Sequence, residues 1–108
     1  MTLYTLRETD GFVSDLRRTG DHLDRTTGEP DKTDEILMAF RAAAISLTEF
    51  PRRYVERRDL GEGIRLCVVR QKGVLLFQVD DQTHIVRVLR AFYGGEDYGA
   101  LFYGENED

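Results

Sequence analysis

The sequence predicts an α+β domain of order β-α-α-β-β-β, in which a helix hairpin packs on a small antiparallel sheet and the end of the chain allows one further short helix. Three observations predict it. Apolar residues recur at helical spacing up to about residue 50. From residue 63 they alternate instead, with the period of a strand. Polar, Gly- and Asp-containing breaks then divide that second half into three runs. The chain has 108 residues, 41% hydrophobic and 32% charged. That composition supports one modest core, so a single domain over 1–108 is expected.

Residues 2–6, TLYTL, alternate Thr with Leu and Tyr and read as a short strand. Thr9 and Asp10 are N-cap types, because their side-chain oxygens accept the unpaired amides of a first helical turn. Phe12, Leu16 and Leu23 then fall near one face, with Val13 beside them, which predicts a helix over about 10–25, weakened by Gly20. The stretch TTGEPD breaks it. Asp31 is placed to cap a second helix, with Asp34 and Glu35 near its positive end. Ile36, Phe40, Ala43, Leu47 and Phe50 step by four, three, four and three residues, which predicts one buried stripe ending at Pro51.

Three alternating runs follow. Ile64, Leu66 and Val68 oppose Arg65, Cys67 and Val69. Leu75, Phe77 and Val79 oppose Val74, Leu76 and Gln78. Ile85, Arg87, Leu89 and Ala91 oppose Val86, Val88, Arg90 and Phe92. The links RQKG (70–73) and DDQT (80–83) are tight and polar, so the runs form an antiparallel meander with one face toward the helices. Residues 96–103 allow the final helix, with Tyr98, Leu101 and Phe102 inward.

Charge narrows the function classes. The net charge is −5, against the basic balance usual for a general nucleic-acid binder. No apolar run approaches the roughly 20 residues of a membrane span, and MTLYTLRETD lacks the zones of a signal peptide, so a cytoplasmic location is expected. The charge is also uneven. Residues 51–72 hold seven bases and three acids, whereas 93–108 hold five acids and no base. Arg52, Arg53, Arg57 and Arg58 lie within seven residues, and holding them together costs self-repulsion unless an acidic partner neutralises them. The single Cys67 sits in an apolar run and reads as a buried structural thiol, with no metal-ligand spacing around it.

In order and spacing, nearly the whole chain resembles the RelE/ParE toxin superfamily, and within it the ParE branch. LTEFPRRY resembles the Leu and Phe-Pro that close the family's helix hairpin. LGEGIRLCVV resembles its Gly-x-Arg strand entry, with Arg65 in the arginine position. VLLFQVDDQTHIVRVL resembles its aromatic strand, acidic turn and Ile-x-Arg-Val-Leu strand, and GGEDY resembles the Gly-x-x-Asp that follows. The departure is at the end of the last strand, where the family often reads Arg-Val-Leu-His-Gly followed by basic residues. Matching Arg87-Val88-Leu89 puts Arg90 in the histidine place. Matching Arg90-Ala91-Phe92 puts Tyr93 there and also accounts for Gly94 and Asp97. In both registers the histidine is absent, and Gly95-Glu96 replace a basic pair.

The resemblance implies the toxin half of a type II toxin–antitoxin module of the kind that stabilises plasmids. It implies a protein that acts by binding, with DNA gyrase as target, no metal and no cofactor. It also implies neutralisation by a ParD-like antitoxin in a hetero-oligomer, without direct nucleic-acid contact. An acidic antitoxin segment would match Arg52, Arg53, Arg57 and Arg58. The target-binding candidates are Arg65, Arg87, Arg90, Tyr93 and Tyr98. Charge alone offers two readings of the chain's end: the acids after Gly95 fold back and restrain the tail by pairing with Arg87 or Arg90, or the missing histidine and basic pair mark a toxin with altered or lost activity.

Two alternatives stand beside this reading. One is a RelE-like, metal-independent, ribosome-dependent endoribonuclease. Such cleavage needs a base, a cation at the phosphate and an acid for the leaving oxygen. The three strand arginines supply cations and Tyr93, Tyr98 and Tyr103 supply phenols, but a phenol of pKa near about 10 is a poor base. His22 and His84 have no evident partner in the sequence. The other alternative is a non-toxic domain that kept only antitoxin binding.

Overall fold

The computed structural model describes residues 3–94. A strand β1 (Thr5–Glu8) leads into helix α1 (Asp10–Thr27), and a two-residue link joins it to helix α2 (Pro30–Ser46). A 3-10 turn (Pro51–Arg53) and a loop precede strands β2 (Arg65–Val69), β3 (Gly73–Asp80) and β4 (Ile85–Tyr93). The helix hairpin packs on a four-stranded sheet of order β1-β4-β3-β2. The expected meander β2-β3-β4 is antiparallel throughout. The sheet as a whole is mixed, because β1 adds to β4 in parallel. The expected helix over 96–103 lies outside the described residues.

Helix α1 begins where capping chemistry puts it. Thr9 accepts the Phe12 amide at 3.3 Å and donates to the Val88 carbonyl at 2.8 Å, so the cap also fastens α1 to β4. Gly28, at φ 67°, closes the helix in the left-handed region that glycine enters without strain. Helix α2 differs from expectation at both ends. Glu29, not Asp31, is its N-cap residue and makes no side-chain cap bond; Pro30 starts the helix with its φ already set. The helix stops at Ser46, before Pro51, so Phe50 leaves the stripe. It takes φ 49° and is 62% exposed, while Phe40, Ala44 and Leu47 are fully buried.

The main core lies between the helices and the sheet: Phe12, Leu16, Phe40, Ala44 and Leu47 meet Cys67, Val69, Leu75, Phe77, Val86, Val88 and Ala91. The strict alternation expected for β4 fails at one point. Phe77 pairs with Val88 but Leu76 pairs with Arg90, so Leu89 is an extra residue, a β-bulge. One inserted residue reverses every later side chain. Ala91 therefore joins Val86 and Val88 under the helices, and Phe92 turns to the other face. There Leu60, Ile64, Leu76 and Phe92 form a second small cluster that the sequence pattern did not separate from the first.

Candidate functional site

The arginine-rich stretch wraps the β2 edge of the sheet. Tyr54 anchors it, meeting the Phe77 ring edge-on at 5.7 Å. Arg65 holds it from below. Its side chain is 13% exposed, and Nη1 donates to the Tyr54 carbonyl at 2.5 Å and the Arg52 carbonyl at 3.3 Å. Arg65 is thus committed to the shape of this loop rather than displayed from the sheet.

The four arginines above it all have contacts within the chain. Arg52 pairs with Asp81, whose other oxygen accepts the Tyr4 hydroxyl at 2.7 Å. Arg53 donates to the Glu49 carbonyl and the Tyr54 hydroxyl, and lies 4.8 Å over the Tyr54 ring. Arg57 grips both oxygens of Asp59 at 2.8 and 2.7 Å. Arg58 reaches Glu56 at 2.8 Å. These local acids offset the self-repulsion that the sequence implied. Their electrostatic trace is visible: Arg52, with Tyr4, holds the Asp81 carboxyl below its ordinary value, and Arg57 does the same for Asp59.

The other expected site residues scatter. Arg87 is exposed on the sheet face away from the helices, opposite Arg7 on β1 and Gln78 on β3. It borders a groove of about 370 Å³ with Arg52 and the Asp80–Gln82 turn. Arg90 lies elsewhere than expected. It is 9% exposed and pairs with Asp15 of α1, so it is a tie between helix and strand, not a displayed cation. The acid it meets comes from α1; whether tail acids approach Arg87 or Arg90 concerns residues outside the described range, as does Tyr98. Tyr93 is half-buried at the end of β4, edge-on to Phe40 at 6.2 Å. His84 stays apart from His22; its ring lies 5.3 Å from that of Tyr4.

The structure also builds a cleft that the sequence did not reveal. Arg18, Thr19, His22 and Leu23 of α1 face Lys72 of the β2–β3 turn and Tyr93–Gly94 across about 410 Å³. The Gly94 amide donates to the Lys72 carbonyl at 3.1 Å and binds the two strand ends together. Residues 18 and 22 are one helical turn apart, so a shared face was readable. Their meeting with residues 72 and 93 depends on tertiary packing alone.

A family model described as the ParE toxin of the type II toxin–antitoxin system parDE matches residues 6–98. The chain belongs to this ParE toxin family. The ParE fold is shared with solved structures across the superfamily. A chromosomal ParDE system from P. aeruginosa aligns at TM-score 0.72 and 18% identity, covering 84% of this chain and 96% of that one. The toxin–antitoxin complex RelBE2 from Mycobacterium tuberculosis aligns at TM-score 0.64 and 25% identity, covering 89% and 97%. A mutant of the E. coli toxin RelE in the free state aligns at TM-score 0.66 and 14% identity, covering 99% and 100%. No curated protein sequence matches.

Within this ParE-family chain, the strand positions that face the helices are mostly apolar: Cys67, Val69, Leu75, Phe77, Val86, Val88 and Ala91 are all core. Burial pushes the Cys67 thiol above its ordinary range, away from the thiolate that nucleophilic chemistry needs. Among the described residues no three His, Cys, Asp or Glu side chains gather as a metal site. Among the described residues no helix is long and apolar enough to cross a membrane.

Proposed function

We propose that this type II toxin acts by binding protein, with DNA gyrase as its target and a cognate ParD-like antitoxin as its inhibitor. One observation supports protein binding over strand-borne catalysis most directly. Of the four strand arginines, Arg65 is spent on the Tyr54 and Arg52 carbonyls and Arg90 on Asp15, leaving Arg87 displayed beside Arg7 of β1. The face around Arg87 carries Arg7 and Gln78 at one end and Val68, 63% exposed, at the other. That mix of cation, amide and aliphatic surface suits protein recognition. We assign Arg87, with Tyr93 at the strand end, to target contact, and Arg52, Arg53, Arg57 and Arg58 to the antitoxin.

The RelE-like ribonuclease reading keeps one supporting observation: Arg18, His22, Lys72 and Tyr93 line a single cleft. Induced expression separates the readings. A gyrase toxin arrests growth with chromosomal DNA losing negative supercoiling while translation continues at first. A ribonuclease stops translation within minutes and leaves cut messages. Absence of arrest returns the non-toxic alternative.

A further inference from the structure

The cations of the 52–58 loop are largely engaged, since Arg52, Arg57 and Arg58 each hold an acid of the same chain. An incoming carboxylate must displace one of them. The cleft between α1 and the β2–β3 turn is different. Lys72 and the His22 ring line it and have no ion-pair partner among the described residues, and Arg18 adds a third nitrogen-bearing group. Leu23 and the Tyr93 ring supply apolar wall beside them. At about 410 Å³ the cleft is near the lower end of the roughly 300–1,000 Å³ typical of ligand sites.

The surroundings argue for an acidic peptide over a phosphate polymer. Arg17, Arg18 and Arg25 on the outer side of α1 are interrupted by Asp21, so no continuous basic track leads away. The whole chain carries −5, which repels a polyanion at long range. A single carboxylate with an apolar neighbour avoids both costs. We propose that this cleft seats an acidic side chain of the cognate antitoxin, with an adjacent apolar residue against Leu23 and Tyr93. The proposal rests on the toxin–antitoxin reading above and names a contact outside the arginine loop.

The test uses the full chain and the cognate antitoxin of the proposed module. Affinity is measured by calorimetry between about 0.1 and 1 M salt, over which the Debye length falls from about 10 Å to about 3 Å. Lys72→Glu should weaken binding at least about tenfold at low salt and flatten its salt dependence, a loss of about 1.4 kcal/mol. Lys72→Arg should keep both. An unchanged melting temperature shows that Lys72→Glu still folds. Affinity within about twofold of wild type, with the same salt slope, overturns the cleft assignment while leaving the toxin reading intact. Failure of the wild-type chain to bind the antitoxin overturns the reading beneath it. A second arm titrates inorganic phosphate and a single-stranded oligonucleotide while the His22 ring is followed by NMR. Saturable shifts at this ring with either probe assign the cleft to phosphate and overturn the peptide proposal; their absence supports it.

Discussion

Arg90 Nε donates to Asp15 Oδ2 at 2.5 Å, and the same oxygen accepts the Ala91 amide at 2.9 Å. One carboxylate of the first helix therefore satisfies both a side chain and the backbone of the last strand, two residues beyond the bulge. Asp15 is 4% exposed and Arg90 9%, so neither charge can fall back on bulk water. Removing one partner of such a pair leaves the other charged and buried. Asp15→Ala is expected to lower stability by about 3–5 kcal/mol in urea unfolding. Asp15→Leu combined with Arg90→Met should recover at least half of that, because it removes both desolvation costs. A double variant as unstable as the single one would show that the ion pair itself supports the fold.

Gly11 sets how closely α1 rests on the bulge. A Cβ there would lie 2.9 Å from the Leu89 carbonyl oxygen and 3.1 Å from Arg90 Cδ. The carbonyl belongs to the strand backbone and cannot swing aside. Alanine would gain up to about 1 kcal/mol of helix propensity. Overpacking costs about 1–3 kcal/mol and should win. Gly11→Ala is therefore expected to be destabilising, with faster amide exchange at Leu89 to Ala91.

Asp81 joins three segments through Tyr4 and Arg52, and both hold its carboxyl below the ordinary 3.8. A depressed carboxylate contributes stability that is present above that ordinary value. The contribution fades as pH falls through the lower folded value, because the unfolded chain takes up the proton first. Wild type should thus lose stability more steeply than Asp81→Asn below about pH 4. Parallel pH profiles in urea unfolding would contradict this.

Cys67 is 3% exposed, and burial raises its thiol pKa. The native chain should react with a thiol reagent only as fast as it opens. Full labelling is expected in denaturant and very slow labelling without it. Rapid native labelling would mean that β2 opens locally.

Much of this architecture is legible in the residues because each element signals at short range. Phe40 and Leu47, and the alternation of Leu75, Phe77 and Val79, mark their buried faces by spacing alone. Glu56 and Asp59 stand two residues from Arg58 and Arg57, so their pairing was within reach of a local reading. Other features have no local signature. Asp15 and Arg90 are 75 positions apart. The bulge at Leu89 leaves the string of alternating residues looking regular, since apolar side chains occupy both faces beyond it. The parallel docking of β1 on β4 depends on where α1 and α2 return the chain, not on the four residues of β1. The cleft follows from the same packing.

The most direct test of the central claim is a gyrase supercoiling assay with purified chain freed of antitoxin. The account predicts that relaxed plasmid stays relaxed as the chain is added, and that adding back the antitoxin restores supercoiling. Undiminished supercoiling, together with cleavage of messenger RNA in a ribosome-programmed translation reaction, would contradict it.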